Sequence, residues 1–390
     1  MSPAELNYIL NHGQFIEDHI YEDPFLLSLK YSGEPENRLL IEQIQARQKI
    51  KKKLPEWYAN PDLIFPPGLS LEQASSQATA TLKSTLVKGN HLLDITGGLG
   101  IDCYYLSKSF SKASYVEWDA DMALIASHNF HQLNANIETM HNDGLEVLIN
   151  SEADFIYIDP YRRDDAKNKV VALSDCLPDV TKILDLLITK GRRSLIKASP
   201  MLDINLAIEQ LKYVCEVWII SHKNECKEVL FLLEAGANSI KVKTFDIYPD
   251  TDNAFEFERS DVPVTKADTG APDKFLYEPN ASILKSGGQD VLAQVLKIKK
   301  LHPNSNFFTS SELVEHFPGK TFVIKQQLKP FDKSLSKGRF NVISRNFPKK
   351  ANEIEQKMKI KPAKNDYLIA TRLQDGTYTF IVCELYNGVE

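Results

Sequence analysis

Four acids stand at the ends of four successive stretches, the first, second and fourth apolar strand patterns and the third a strand or loop. Asp94 follows His91-Leu-Leu, Glu117 follows Tyr115-Val, Asp143 closes a stretch that starts at Ile137, and Asp159 follows Phe155-Ile-Tyr-Ile. Behind the first acid comes Ile95-Thr96-Gly97-Gly98-Leu99-Gly100, and then a helical pattern from Cys103. Strand, glycine-rich turn and helix form the corner of a doubly wound α/β sheet where a nucleoside or phosphate binds. Glycine lets the backbone turn tightly and lets a ligand approach without a Cβ in the way.

The spacing is Asp94-x-Thr96-x-Gly98-x-Gly100, which departs from G-x-G-x-x-G. A pyrophosphate needs a helix N-terminus free for its anion. A cationic sulfonium with an amino-acid tail tolerates a carboxylate and uses it. The pattern therefore points to S-adenosylmethionine ahead of a nicotinamide dinucleotide. In such sheets ligands bind outside the carboxyl ends of the strands, and an acid about 20 residues past the turn takes the ribose hydroxyls. Glu117 fits that role. Asp143 can accept from an adenine amino group, and Asp94 can hold an ammonium directly or through water.

The elements that must position these acids follow from periodicity. Residues 1 to about 63 read as polar helices, with Leu39, Ile41, Ile44 and Ile50 at helical spacing. The basic run Lys51–Lys53 reads as a solvated face. Residues 69–83 read as one helix, capped by Ser70 with Gln73 three residues on. Its small residues Ser75, Ser76 and Thr79 suit packing against the sheet or beside a cofactor. Strand and helix alternate from residue 91, with helices over 178–190 and 203–212. The sixth and seventh strands, from Cys215 and Lys227, lie about four residues apart, too close for a helical crossover, so they must pair antiparallel. A parallel sheet closed by an antiparallel hairpin results.

At 390 residues the chain accommodates two or three domains. No apolar run approaches the ~20 residues that cross a bilayer. The N-terminus lacks a basic stretch followed by an apolar one, so no signal peptide is expected and the cytoplasm is the default. Five scattered cysteines without Cys-x-x-Cys speak against a disulfide framework and a structural zinc, and no metal is expected.

The motifs carry a family resemblance. The segment from about residue 64 resembles class I S-adenosylmethionine-dependent methyltransferases, with Asp94-x-Thr96-x-Gly98-x-Gly100 as their cofactor loop. Glu117-Trp-Asp119, ahead of Leu124, Ala126 and Asn129, resembles the D-I-D-P…N segment of RNA-modifying members. Asp159-Pro160-Tyr161-Arg162-Arg163 stands where amino-methylating enzymes carry (N/D)-P-P-(Y/F/W). The resemblance implies that Asp159 accepts from an exocyclic amine and that Tyr161 stacks on the base. The second proline is replaced here by Tyr161, so Arg162 and Arg163 read as phosphate contacts or as a structural salt bridge. Leu69-Ser-Leu-Glu-Gln73, the Asp-Pro-x-Arg-Arg turn and Tyr277-Glu-Pro-Asn-Ala-Ser-Ile-Leu-Lys285 together resemble bacterial methyltransferases with a C-terminal THUMP-like domain. The fold expected is α/β: a Rossmann-like doubly wound sheet over 64–260, a helical N-terminal segment over 1–63, and small α+β domains, ferredoxin-like over 273–318 and THUMP-like over 319–390.

The C-terminal third differs in charge. Residues 318–365 hold thirteen Lys/Arg against three acids, about +10, while the whole chain is −6. Lys337, Arg339 and Arg345 are candidate substrate contacts there. Phe322, Phe331, Phe340 and Phe347 lie among the positives, a mixture that suits a phosphate backbone and unstacked bases, or else a lysine-rich face over core phenylalanines. Residues 283–288 read as a tight turn, 289–298 as a helix, and Tyr367–Arg372 with Tyr378–Cys383 as a hairpin. The leading reading is a methyltransferase acting on tRNA or rRNA. A protein or small-molecule methyltransferase with a structural tail, and a non-catalytic adenosyl-binding adaptor, are the alternatives.

Overall fold

The computed structural model describes residues 1–34, 36–66, 68–162, 172–248 and 251–386. The chain divides into two compact units, residues 1–215 with 230–237, and residues 216–229 with 238–390.

The first unit opens with helices α1 (Pro3–Asn11), α2 (Gly13–His19), α3 (Pro24–Lys30), α4 (Asn37–Ile50) and α5 (Pro55–Ala59). The apolar side of α4 is buried through Leu40, Ile41, Ile44 and Ile50, with Leu40 rather than Leu39 in the core. Lys53 is not part of a solvated face, since its ammonium donates to the carbonyls of Leu71 at 2.8 Å and Glu72 at 2.7 Å. The single helix expected over 69–83 is two, α6 (Leu69–Gln73) and α7 (Gln77–Thr85). The break falls at Ser75-Ser76. The cap is Ser76, whose hydroxyl accepts from Thr79 N at 3.2 Å, while Ser75 turns inward to buried charges.

The strands then run β1 (Gly89–Asp94), β2 (Phe110–Glu117), β3 (Ile137–His141), β4 (Ala153–Ile158), β5 (Gly191–Ala198), β6 (Val214–His222), β7 (Glu225–Glu234), β8 (Lys241–Tyr248) and β9 (Thr251–Glu258). Within the first unit the order is β7-β5-β4-β1-β2-β3, β7 entering through its C-terminal half, while β8, β9 and nearly all of β6 fall in the second unit. Strands β1 to β5 pair in parallel. Strands β6 and β7 are joined by Lys223 and Asn224 alone, both at positive φ, as a two-residue hairpin requires. The expected seven strands are therefore present, and two more follow, β8 parallel to β6 and β9 antiparallel to β8.

Helices α8 (Ile101–Ser107), α9 (Ala120–Gln132), α10 (Gly144–Asn150), α11 (Leu184–Lys190) and α12 (Ile204–Leu211) cross between strands. The helix expected over 178–190 is shorter. Asp179 caps a single 3-10 turn, Val180–Lys182, before α11 begins. Asp119 caps α9 and Asp143 caps α10, each accepting two backbone N–H groups. Asn129, one of the residues behind the resemblance, is buried and exchanges two hydrogen bonds with the backbone of Ile64.

The second unit contains a seven-stranded sheet: β10 (Phe275–Pro279), β11 (Lys299–Lys300), β12 (Phe308–Ser310), β13 (Gly319–Leu328), β14 (Asn341–Ser344), β15 (Asp366–Arg372) and β16 (Tyr378–Leu385), in the order β11-β12-β10-β13-β16-β15-β14. One sheet thus runs through both the 273–318 and the 319–390 segments, with Leu276 opposite Phe322. Residues 281–286 are a helix, not a tight turn. Asn280 caps it and Gly287 ends it at φ +77°, so the following helix starts separately at Gln289. The expected hairpin β15–β16 is present. Phe322 is fully buried, and Phe331, Phe340 and Phe347 pack against the core of Leu335, Ile354, Leu368 and Phe380. Phe322 is therefore a core residue, and the other three rings are half-buried at the edge of an apolar cluster, each with one face on the core. Among the described residues no helix is long and apolar enough to cross a membrane.

Candidate active site

A cavity of about 620 Å³ opens at the carboxyl ends of β1, β2 and β4. It is lined by Asp94, Thr96, Gly98, Gly100, Glu117, Asp143, Asp159 and Tyr161, so eight of the residues singled out from the sequence meet in one place. Its size lies within the range of small-molecule sites, ~300–1,000 Å³. Pro160 is half-buried and does not contribute to the lining. Arg162 does not line the cavity and is placed by its backbone alone, in a short strand opposite Cys176, and Arg163 lies outside the described residues. Lys337, Arg339 and Arg345 are exposed and belong to the second unit. Arg345 lies 3.4 Å from the buried Glu278, so part of its charge is engaged within that unit.

The glycine turn is shaped by conformation and by what it touches. Gly98 and Gly100 have φ of +54° and +78°, which side chains with a Cβ adopt only under strain. Glu117 pins the turn. One carboxylate oxygen accepts from Gly98 N at 2.7 Å and the other from Asp119 N at 2.8 Å. A carboxylate has about four acceptor sites, so acceptor capacity remains beside these two contacts and a weaker one from Trp118 N. Burial raises its pKa. Asp143 is exposed, and the oxygen that accepts from Leu145 N at 2.7 Å leaves its partner oxygen available.

Asp94 is 1% exposed and accepts from Thr96 N at 3.0 Å. Burial pushes its carboxyl up to about 8, aided by the neighbouring Asp102, Asp159 and Glu117. The protonated acid is therefore favoured over the carboxylate at neutral pH. Thr96 ties two strand ends together, its hydroxyl accepting from Asp159 N at 2.7 Å.

Sequence reasoning missed a buried polar network behind this surface. Asp102 on α8 is 2.7 Å from the ammonium of Lys83 on α7 and 3.3 Å from that of Lys197 on β5. Ser75 and Tyr157 each donate a hydroxyl to Asp102 at 2.7 Å. Lys197 also contacts Ser75 at 3.0 Å and the carboxylate of Asp159. The two lysines hold Asp102 well below the usual carboxylate range. Burial raises Asp159, and Lys197 partly offsets that. A signal existed for Lys197: one charge inside the apolar run Leu195-Ile-Lys197-Ala. Trp118 also lines the cavity, 63% exposed, and its ring stacks near that of Tyr161, with centroids 6.4 Å apart and planes 18° from parallel.

Comparison with known proteins bears on the fold and the C-terminal domains. Residues 275–318 match a ferredoxin-like domain family and residues 319–385 a THUMP domain-like family. A crystal structure from Porphyromonas gingivalis W83, named a "putative methyltransferase", is similar over 97% of this chain and 98% of its own, at 27% identity and a TM-score of 0.86. A 16S rRNA N2 G1207 methyltransferase of T. thermophilus, solved with AdoMet and guanosine, is similar over 44% of this chain and 43% of its own, at 17% identity and a TM-score of 0.30. A tRNA m1G37 methyltransferase of M. jannaschii is similar over 45% and 95%, at 12% identity and 0.29. Likenesses as shallow as these last two carry no weight for function. No curated protein matches the chain. The chain has the methyltransferase fold with a C-terminal THUMP-like domain, as the sequence resemblance implied.

Proposed function

We propose that the protein is an S-adenosylmethionine-dependent methyltransferase that modifies an exocyclic amine of a tRNA or rRNA base in the cytoplasm. The observation that carries this reading is the convergence of Asp94, Glu117, Asp143 and Asp159 on one cavity beside the glycine turn. Glu117 has acceptor capacity left for ribose hydroxyls, Asp143 an oxygen for an adenine amine, and Asp94 a carboxyl that an ammonium ionises. S-adenosylmethionine supplies, when bound, a methyl group already activated on a sulfonium, so the chain contributes positioning more than acid–base power. An aromatic amine is a poor nucleophile because its lone pair is delocalised. Asp159, accepting from its N–H, favours the reactive nitrogen and stabilises the positive charge that develops there. Tyr161 offers a stacking face at the mouth.

RNA as substrate rests on the THUMP-like match and the exposed basic residues of 318–365. The packing of the four phenylalanines on apolar clusters, with Phe322 fully buried and Phe331, Phe340 and Phe347 half-buried, favours the alternative of a structural tail, since it limits the ring surface left for base stacking. Mass spectrometry of RNA nucleosides from a strain lacking the gene tests the reading. Loss of one methylated nucleoside, restored by purified protein with labelled cofactor, is expected. An unchanged nucleoside profile overturns the RNA assignment.

A further inference from the structure

Lys83, Asp102, Lys197 and Asp159 form an alternating chain of cations and anions that starts in the interior and ends at the cavity. Lys83 is 0% exposed and Asp102 and Lys197 are 8% each, while the side chain of Asp159 is 37% exposed. Burying four charges is costly unless every one is paired, so the chain is an interdependent unit. Its last link is the informative one. Lys197 occupies one carboxylate oxygen of Asp159, Oδ2. The other, Oδ1, has no partner among the described residues, and Asp159 lines the cavity. Thr96 accepts from the backbone N–H of the same residue, which fixes the carboxylate at its base.

We propose that Lys197 is a positioning residue that holds Asp159 as a carboxylate with a single oxygen presented to the cavity, so that the site accepts from an N–H or O–H donor and cannot itself donate. This deepens the reading of Asp159 as acceptor for the substrate amine and rests on it for the identity of the donor. The charged and titratable groups around Asp159 are Lys197 from β5, Asp102 from α8, Lys83 from α7 and Asp94 from β1, with Tyr157 and Tyr161 on its own segment. Lys197 is the cation in direct contact. Without it, burial and the Asp102 carboxylate favour the protonated acid, opposed only by Lys83, which does not touch Asp159.

The test is carbon NMR of the full chain labelled at aspartate carboxyls, with D159N used to assign the Asp159 signal. Asp159 is expected to be a carboxylate at pH 7.5 in the wild type. In K197M its titration midpoint should rise by about 1–3 pH units, the effect of one close opposite charge. If K197M does not fold, K197Q, which keeps a donor but no charge, replaces it. A protonated Asp159 in the wild type overturns the proposal, and so does an unmoved midpoint in the variant. Where methyl transfer to cellular RNA is measurable, the acid limb of kcat/KM should move up with the midpoint in K197M. Absence of RNA methylation with a shifted midpoint would count against the proposed substrate and leave the Lys197–Asp159 coupling standing.

Discussion

Lys83 and Lys357 are the same residue type in opposite settings. Lys83 is fully buried against Asp102 in the first unit, and its position is specified by a carboxylate, a serine and a second lysine nearby. Lys357 lies over the ring of Phe331 in the second unit, 4.0 Å from its centroid, with its charge on the outside of an apolar cluster. The cavity of the first unit holds few charges, each tied to others. The basic segment of the second unit holds many, mostly exposed and separate. On the proposed function, methyl transfer in the first rests on geometry and RNA affinity in the second on a sum of charges. Substitutions should therefore behave cooperatively in one region and additively in the other.

The largest expected effect is on stability at the centre of the network. D102A leaves Lys83 and Lys197 buried without their shared anion, a loss of about 3–5 kcal/mol. Thermal melting should show it as a drop of roughly 10 °C. Alanine at Lys357 or at Lys359 should change stability by less than about 0.5 kcal/mol. Equal effects at the two kinds of site would erase the contrast.

Ligand binding comes next. E117A should weaken S-adenosylmethionine binding by about 2–4 kcal/mol in calorimetry, because it removes acceptors for hydroxyls and also releases Gly98 N and Asp119 N. Unchanged affinity would remove Glu117 from the site. D159A should lower turnover by more than about a hundredfold with cofactor affinity little changed. Single-turnover transfer at the wild-type rate would end the amino-methylation reading.

Asp94 gives a pH test with a definite sign. Its folded value, about 8, lies above the unfolded one, so the protonated form stabilises the fold. That contribution is complete below about pH 4 and is lost as pH rises through 8. Its loss should appear as a declining melting temperature of the cofactor-free protein over that window, less steep in D94N. Asp102 acts in the opposite direction, its stabilisation being lost only as pH falls through its depressed value. A D94N protein with the wild-type slope would show that Asp94 titrates normally.

The strand ends were legible because each is a local event. Leu92-Leu93-Asp94 and Phe155-Ile-Tyr-Ile-Asp159 are buried runs that stop at an acid, and a parallel sheet carries all such stops to one edge. What each acid touches was not legible. Thr96 and Asp159 are 63 residues apart, and Asp102 and Lys197 are 95 apart. No short-range pattern encodes such pairs. The split of α6 from α7 had the same origin, since Ser75 leaves the helix to reach Asp102. The phenylalanines of the tail were ambiguous for another reason. A basic strand with alternating apolar residues reads alike whether its rings face bases or a core, and only the pairing of β13 with β10 and β16 buries Phe322.

The smallest effects are expected at Lys337 and Arg339. Both are exposed, and their backbones are held by hydrogen bonds to the 358–361 segment, so their side chains can change without disturbing the core. If each meets one phosphate, K337A and R339A should each weaken RNA binding several-fold, equally across sequences. Each should also lower the slope of log affinity against log salt by about one, and the double variant should show the sum. R345A is the internal control. Its guanidinium faces Glu278, whose pKa burial raises, so R345A should cost stability as well as affinity. Filter binding of tRNA and rRNA fragments between 50 and 200 mM salt, roughly the range over which such contacts dominate, measures all three. Double-variant losses far from additive would mean that these residues form a shaped pocket like the cavity of the first unit. An unchanged salt slope would mean that this part of the segment meets no phosphate, and the structural-tail alternative would gain.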